Sequence, residues 1–183
     1  MNNLVRQMLL AALVFWIPAA ADSVAQTKQD LKAVHARLVQ EVRHQLIMLA
    51  SYSVFDNLEF EIQEVDTVVL SGQVTRPIVK SDAERAVLSI EGTGKVVNKI
   101  EVLPLSPADD RIRRAAYRTI FTKSGLERYG MQSVPPIHII VKDGNITLVG
   151  VVATEMDKNL AGIAANEVPG VFKVINKLAT ERK

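Results

Sequence analysis

Arg111, Arg113, Arg114, Arg118 and Lys123 crowd one short segment, opposed only by Asp109 and Asp110 at its start. Those two aspartates suit the positive end of a helix and leave the rest of the segment basic. At about 100° per residue, Arg114, Tyr117, Arg118 and Phe121 fall together, roughly opposite an apolar face of Ile112, Ala116 and Ile120. Arginines interleaved with aromatic rings suit an anionic membrane surface, where guanidinium groups meet phosphates and rings enter the headgroup boundary. The same residues also fit a plainer arrangement, with Tyr117 and Phe121 packed in the core or against the preceding unit and the arginines forming a solvated rim. The stretch 125–136, with Leu126, Tyr129 and Met131, reads as a loop that either joins this surface or lids a sheet edge.

Other chemistry finds little support. The histidines are His35, His44 and His138, and the first two lie nine residues apart on one predicted helix, which is no ligand spacing. His138 alternates with inward residues of a predicted strand and is expected to face outward, as a surface histidine. The chain has no cysteine, which excludes disulfides, thiolate catalysis, cysteine metal sites and a lipid anchor on cysteine. No Ser-His-Asp set sits in a recognisable elbow. Gly92-Thr93-Gly94-Lys95 has the look of a phosphate loop, but Ser89 and Val96 stand where that loop needs glycine and Ser or Thr. It is expected to be a turn. Asn145-Ile146-Thr147 matches a glycosylation sequon at the start of a paired strand and carries little weight. No metal, cofactor or catalytic residue is indicated, and a net charge of +2 does not suggest nucleic acid as a partner.

The elements that position the basic segment follow from an internal repeat. Val68-Val69-Leu70-Ser71-Gly72-Gln73-Val74 recurs as Ile146-Thr147-Leu148-Val149-Gly150-Val151-Val152, at an offset of 78 residues. Alternating apolar residues predict a half-buried strand in each, and the glycines Gly72 and Gly150 mark a bulge or close backbone approach. Gly92 and Gly170 keep the same offset, as do Asn98 and Asn176. The two asparagines fall on the inward side, either toward a ligand or, as preferred here, tying a helix-to-strand turn to the sheet. Each unit reads helix, strand, strand, helix, strand. The fold class is α+β, with two αββαβ units, each a three-stranded sheet covered by two helices.

Within the first unit, the spacing of Leu31, Val34, Leu38, Val42 and Leu46 predicts a helix from Asp30. Strands follow at 58–62 and 68–74, then a helix from Ser81, whose Ser81-Asp82-Ala83-Glu84 fits a capping box, and a strand at 95–102. Leu103-Pro104-Leu105-Ser106-Pro107 forms a short stiff linker. The next helix is expected to be capped by Asp109 or Asp110. A strand of Ile137, Ile139 and Val141 then turns at Asp143-Gly144, a strong hairpin signal. Ala161, Ala164, Ala165 and Val168 give a final helix face, and Val174, Asn176 and Leu178 a closing strand. Ahead of all this, a weakly basic start with Arg6, an apolar run at 8–17 and Pro18-Ala19-Ala20-Ala21 read as a cleaved secretory signal. The expected division is 1–21 signal peptide, 22–29 flexible leader, 30–103 first unit, 104–108 linker and 109–180 second unit.

A hairpin strand reading Leu-x-Gly-x-Val, Val168-Pro169-Gly170-Val171 after a helix, and Val174-Ile175-Asn176-Lys177-Leu178 resemble the BON domain (bacterial OsmY and nodulation). The first unit matches more loosely, through Leu70-Ser71-Gly72-Gln73-Val74 and Val97-Asn98-Lys99-Ile100, and departs at Glu91-Gly92-Thr93-Gly94. The resemblance implies a non-catalytic periplasmic protein of tandem binding modules, associated with phospholipid binding, envelope integrity and osmotic stress. The expected partner is anionic membrane phospholipid, through Arg111, Arg114, Tyr117, Arg118 and Phe121, with the protein peripheral to the membrane. The alternative is a protein-interaction module for an envelope partner, which an open sheet edge would serve. The sequence does not specify the oligomeric state.

Overall fold

The computed structural model describes residues 19–63, 66–132 and 134–181. It forms two compact units, Met1–Ala36 and Arg37–Lys183, and both sheets belong to the second. Helix α1 spans Ala19–Ile47. No glycine or proline interrupts that stretch, so 22–29 is helical rather than a loose leader. The expected signal segment falls largely on 1–18, outside the described residues. Leu38, Val42 and Leu46, one helical turn apart, are buried on the first sheet, whereas Val34 is exposed. Leu31 lies outside the residues whose side chains are described.

Strand β1 (Asn57–Gln63) runs antiparallel to β2 (Thr67–Val74), and helix α2 (Pro77–Leu88) leads to β3 (Lys95–Asn98) and β4 (Glu101–Val102), both parallel to β2. The order then recurs as α3 (Pro107–Phe121), the single turn α4 (Glu127–Gly130), β5 (Ile137–Lys142), β6 (Asn145–Val152), α5 (Glu155–Asn166), β7 (Lys173–Asn176) and β8 (Ala179–Thr180). Sheet pairing recurs too: β6 is central, antiparallel to β5 and parallel to β7 and β8. Five helices and two small sheets make two αββαβ repeats. Each has its own core, built on Val42, Leu70 and Val87 in the first and on Ile139, Leu148 and Ala164 in the second.

The repeated glycines and asparagines explain themselves here. Gly72 and Gly150 have φ of 111° and 122°, and a Cβ there would stand 2.1 Å from Asn57 O or 1.9 Å from Pro136 O. Only glycine lets the neighbouring strand approach. Asn98 Nδ2 donates to Lys80 O at 3.0 Å while its Oδ1 accepts from Ile100 N–H at 3.1 Å. Asn176 does the same with Lys158 O at 2.7 Å and Leu178 N–H at 3.2 Å. Each amide ties a helix to the closing strand and takes over a backbone hydrogen bond. That is why the strand expected at 95–102 breaks into β3 and β4. Gly92 and Gly170 hold positive φ in turns with open space around them, and serve the chain path.

The starts of α2 and α3 differ from expectation for one reason, proline at the first helical position. Pro77 opens α2, and Ser81 Oγ donates back to Pro77 O instead of capping. Pro107 opens α3, where Ser106 rather than an aspartate is the cap, accepting from Asp109 N–H at 3.1 Å. The linker therefore shrinks to 104–106. The two-residue turn at Asp143 and Gly144 is as expected, with φ of 51° and 74°.

The connection from α1 to β1 joins the repeats. Val54 O accepts from Ile139 N–H at 2.8 Å, and the Val54 side chain is buried in the second core. Asp56, fully buried, accepts from Ser53 and Thr75 through both backbone and hydroxyl groups. Lys142 meets Glu101 at 2.6 Å across the junction. His138 faces outward from its sheet as expected, yet it is not a surface histidine. Its ring packs on Tyr52, with centroids 5.3 Å apart, and Nδ1 is buried without a partner among the described residues.

Candidate membrane-facing surface

Helix α3 is fixed from both ends. Asp109, 2 % exposed, accepts from the N–H groups of Asp143 at 3.1 Å and Gly144 at 2.9 Å, which pins the hairpin tip to the helix start. Ile112, Ala116 and Ile120 enter the core. Arg113 is buried: it donates to Val141 O at 2.7 Å and to Asp110 at 2.6 Å. It caps the outer edge of β5 and is no part of a basic face. Lys123 is held by Glu167 at 2.8 Å. Arg111, Arg114 and Arg118 remain, exposed, one stripe at spacings of three and four, with no ion-pair partner among the described residues.

The two aromatic residues separate. Phe121 is 8 % exposed and belongs to the second core. The turn of α4 covers it, with Gly130 so close that a Cβ would stand 3.0 Å from the Phe121 side chain. The expectation that Phe121 joins the outer face is thus corrected. Tyr117 is 38 % exposed, with its ring 5.0 Å from that of Phe121 and 6.3 Å from that of Phe55. Phe55, from the α1–β1 connection, is a second aromatic neighbour of Tyr117, beside Phe121. Val54, Phe55, Arg114, Tyr117 and Arg118 line an open hollow of about 290 Å³. A second hollow, of about 270 Å³, shares Phe55 and Arg114 with the first and is lined also by Arg76, Leu105 and Asp110. Leu105 is 96 % exposed.

In the stretch 125–136, Leu126 and Tyr129 are buried in the core, whereas Met131 is exposed. Tyr129 Oη donates to Asp157 at 3.0 Å and accepts from Ala153 N–H at 2.9 Å. Burial alone would raise the Asp157 pKa, but hydrogen bonds from Thr154 and Tyr129 and the Arg128 charge hold it below the usual carboxylate value. Thr154 caps α5, accepting from Asp157 N–H. The spacing Thr154-x-x-Asp157 carried that cap in the sequence. Nothing local marked Phe55, Arg76 or Leu105, which come together only through the docking of the repeats. His35 and His44 are exposed, and no group able to hold a metal ion occurs among the described residues.

Two docked αββαβ modules, with an open basic and apolar surface at their junction, define a tandem binding module. The chain belongs to the BON-domain family, whose model matches residues 35–104 and 122–182, more than half of its length. BON domains are envelope-associated modules of a non-catalytic kind that bind phospholipid or protein. Two solved structures of CdsD, a structural protein of the type III secretion system of Chlamydia trachomatis, are similar at 11 % identity and a TM-score of 0.31. They cover 79 % of this chain and 92 % and 98 % of their own, the second being the C-terminal domain. No curated protein matches. No helix among the described residues is long and apolar enough to cross a membrane.

Proposed function

We propose that this protein is a non-catalytic periplasmic module that rests on anionic phospholipid through the outer face of α3, and so supports envelope integrity under osmotic stress. The observation that carries the reading is the unpaired arginine stripe of Arg111, Arg114 and Arg118 beside the half-exposed Tyr117. Arginine offers a planar donor array to phosphate oxygens, and Tyr117 presents an amphipathic ring at headgroup depth. A segment 1–21 acting as a cleaved secretory signal would deliver the module to that compartment.

Sedimentation with phosphatidylglycerol vesicles tests this. Binding is expected to fall with added salt and to be lost in the double variant Arg114→Glu, Arg118→Glu. Equal binding to neutral phosphatidylcholine vesicles, or full binding by the double variant, contradicts it. One observation favours protein interaction as a second reading. The outer edge of β5 is occupied by Val54 O and Arg113, whereas β1 is an edge strand with no strand on its outer side among the described residues. An extended segment of an envelope protein could add there.

A further inference from the structure

We infer that the junction seats a single anionic phospholipid molecule, with the first repeat supplying part of the seat. This rests on the lipid reading above but changes what the surface does, from adsorbing a charged plane to holding one ligand. Three features carry it. The hollow of about 290 Å³ has apolar walls from Val54, Phe55 and Tyr117, with Arg114 and Arg118 beside them. The adjoining hollow of about 270 Å³ shares Phe55 and Arg114 with the first and is lined also by Arg76 and by Asp110, whose carboxylate is paired with Arg113. Arg76 is anchored by donating to Ser51 O, so it has a fixed base from which its remaining donors can act.

The arrangement suits one class of ligand. Arg114 lines both hollows, with Arg118 and Arg76 lining one each, which suits a phosphodiester seated against Arg114. The chain-proximal methylenes then fill the hollow of Val54, Phe55 and Tyr117, which offers little for a polar group to bond. Exposed Leu105 extends the apolar margin on the Arg76 side. Val54, Phe55 and Arg76 come from the first repeat, and Arg114, Tyr117 and Arg118 from the second. Neither repeat alone forms the seat. The first repeat is therefore a contributor of ligand contacts as well as a support for the second.

The test uses the full chain and dihexanoyl phosphatidylglycerol below its critical micelle concentration, followed by backbone amide shifts. The expected result is saturable one-site binding that shifts amides near 54–55 and 76 as well as those of 114–118. Phe55→Ala should weaken it roughly tenfold, the loss of an aromatic contact, with the amide spectrum otherwise retained. Arg76→Gln, at an exposed position, should weaken it without any packing change. Glycerol phosphate, the headgroup chemistry without chains, should bind much more weakly. Shifts confined to α3, equal affinity for glycerol phosphate, or no saturable binding by a wild-type protein that still sediments with phosphatidylglycerol vesicles would overturn the seat. Failure to sediment with those vesicles at all would instead overturn the membrane reading itself.

Discussion

The two repeats can be laid over one another at Gly72 and Gly150, at Asn98 and Asn176, and along both central strands, but their outer strands end differently. In the second, β5 has its edge taken by Val54 O and Arg113, and Tyr129 and Asp157 lock the α4 turn to α5. In the first, β1 keeps an open edge, and its helix α1 carries Arg37 beside Glu91 rather than an unpaired arginine row. Features held in common are those that close backbone hydrogen bonds and permit strand approach. Features that differ lie on surfaces. Fold is thus carried by the shared positions, and the proposed lipid contact falls on the unshared ones.

The largest effect should come from the shared glycines. Gly72→Ala and Gly150→Ala each force a Cβ into a backbone oxygen at positive φ. Each is expected to lower stability by about 3 kcal/mol or more, by similar amounts, in urea denaturation. A loss confined to one repeat would break the equivalence of the two.

These glycines also show what a sequence exposes. Alternation and the Asp143-Gly144 turn are local signals and the 78-residue offset is a self-comparison of the chain, so the αββαβ order, the hairpins and the repeat are all legible. Helix starts were misplaced because capping residues such as Ser81 compete with Pro77, and only the geometry shows which one opens the helix. The candidate site was half legible. The periodicity that sets Arg114, Tyr117, Arg118 and Phe121 on one face is local, and it holds for the arginines and Tyr117 but not for Phe121. Arg113 turns inward to a strand carbonyl, and the α4 turn closes over Phe121. Phe55 and Arg76 join Arg114 from far along the chain, through a docking that no periodicity encodes.

Next in size, Asn98→Ala and Asn176→Ala each leave a helix carbonyl and the N–H of Ile100 or Leu178, between the closing strands, without that partner. A loss of about 2 kcal/mol each is expected from chemical denaturation. Smaller, and confined to the second repeat, Tyr129→Phe removes the hydroxyl that joins Ala153 N–H to Asp157, with an expected cost of about 1 kcal/mol. It should also soften the acid response. The Asp157 pKa is depressed on folding, so its contribution is present above the ordinary value of 3.8 and is lost as pH falls through the folded value. Asp157→Asn should flatten that acid limb in a pH series of thermal melts.

The junction should titrate at higher pH. Burial against Tyr52, itself pushed up to about 12 by burial, lowers the His138 pKa below 6.5. The unfolded chain then binds the proton more readily, so stability falls as pH drops below 6.5 toward the folded value. His138→Phe should remove this small slope while keeping the ring contact with Tyr52. An unchanged slope would place the pH response elsewhere.

The central claim is that α3 binds anionic lipid by virtue of its face rather than the protein's net charge. The direct measurement is sedimentation with phosphatidylglycerol vesicles of two variants with the same change in charge. One reverses Arg114 and Arg118 on α3, the other Arg37 and Arg43 on α1, all four exposed and all four to glutamate. The account predicts that the first loses binding and the second keeps it. Equal loss in both would contradict it.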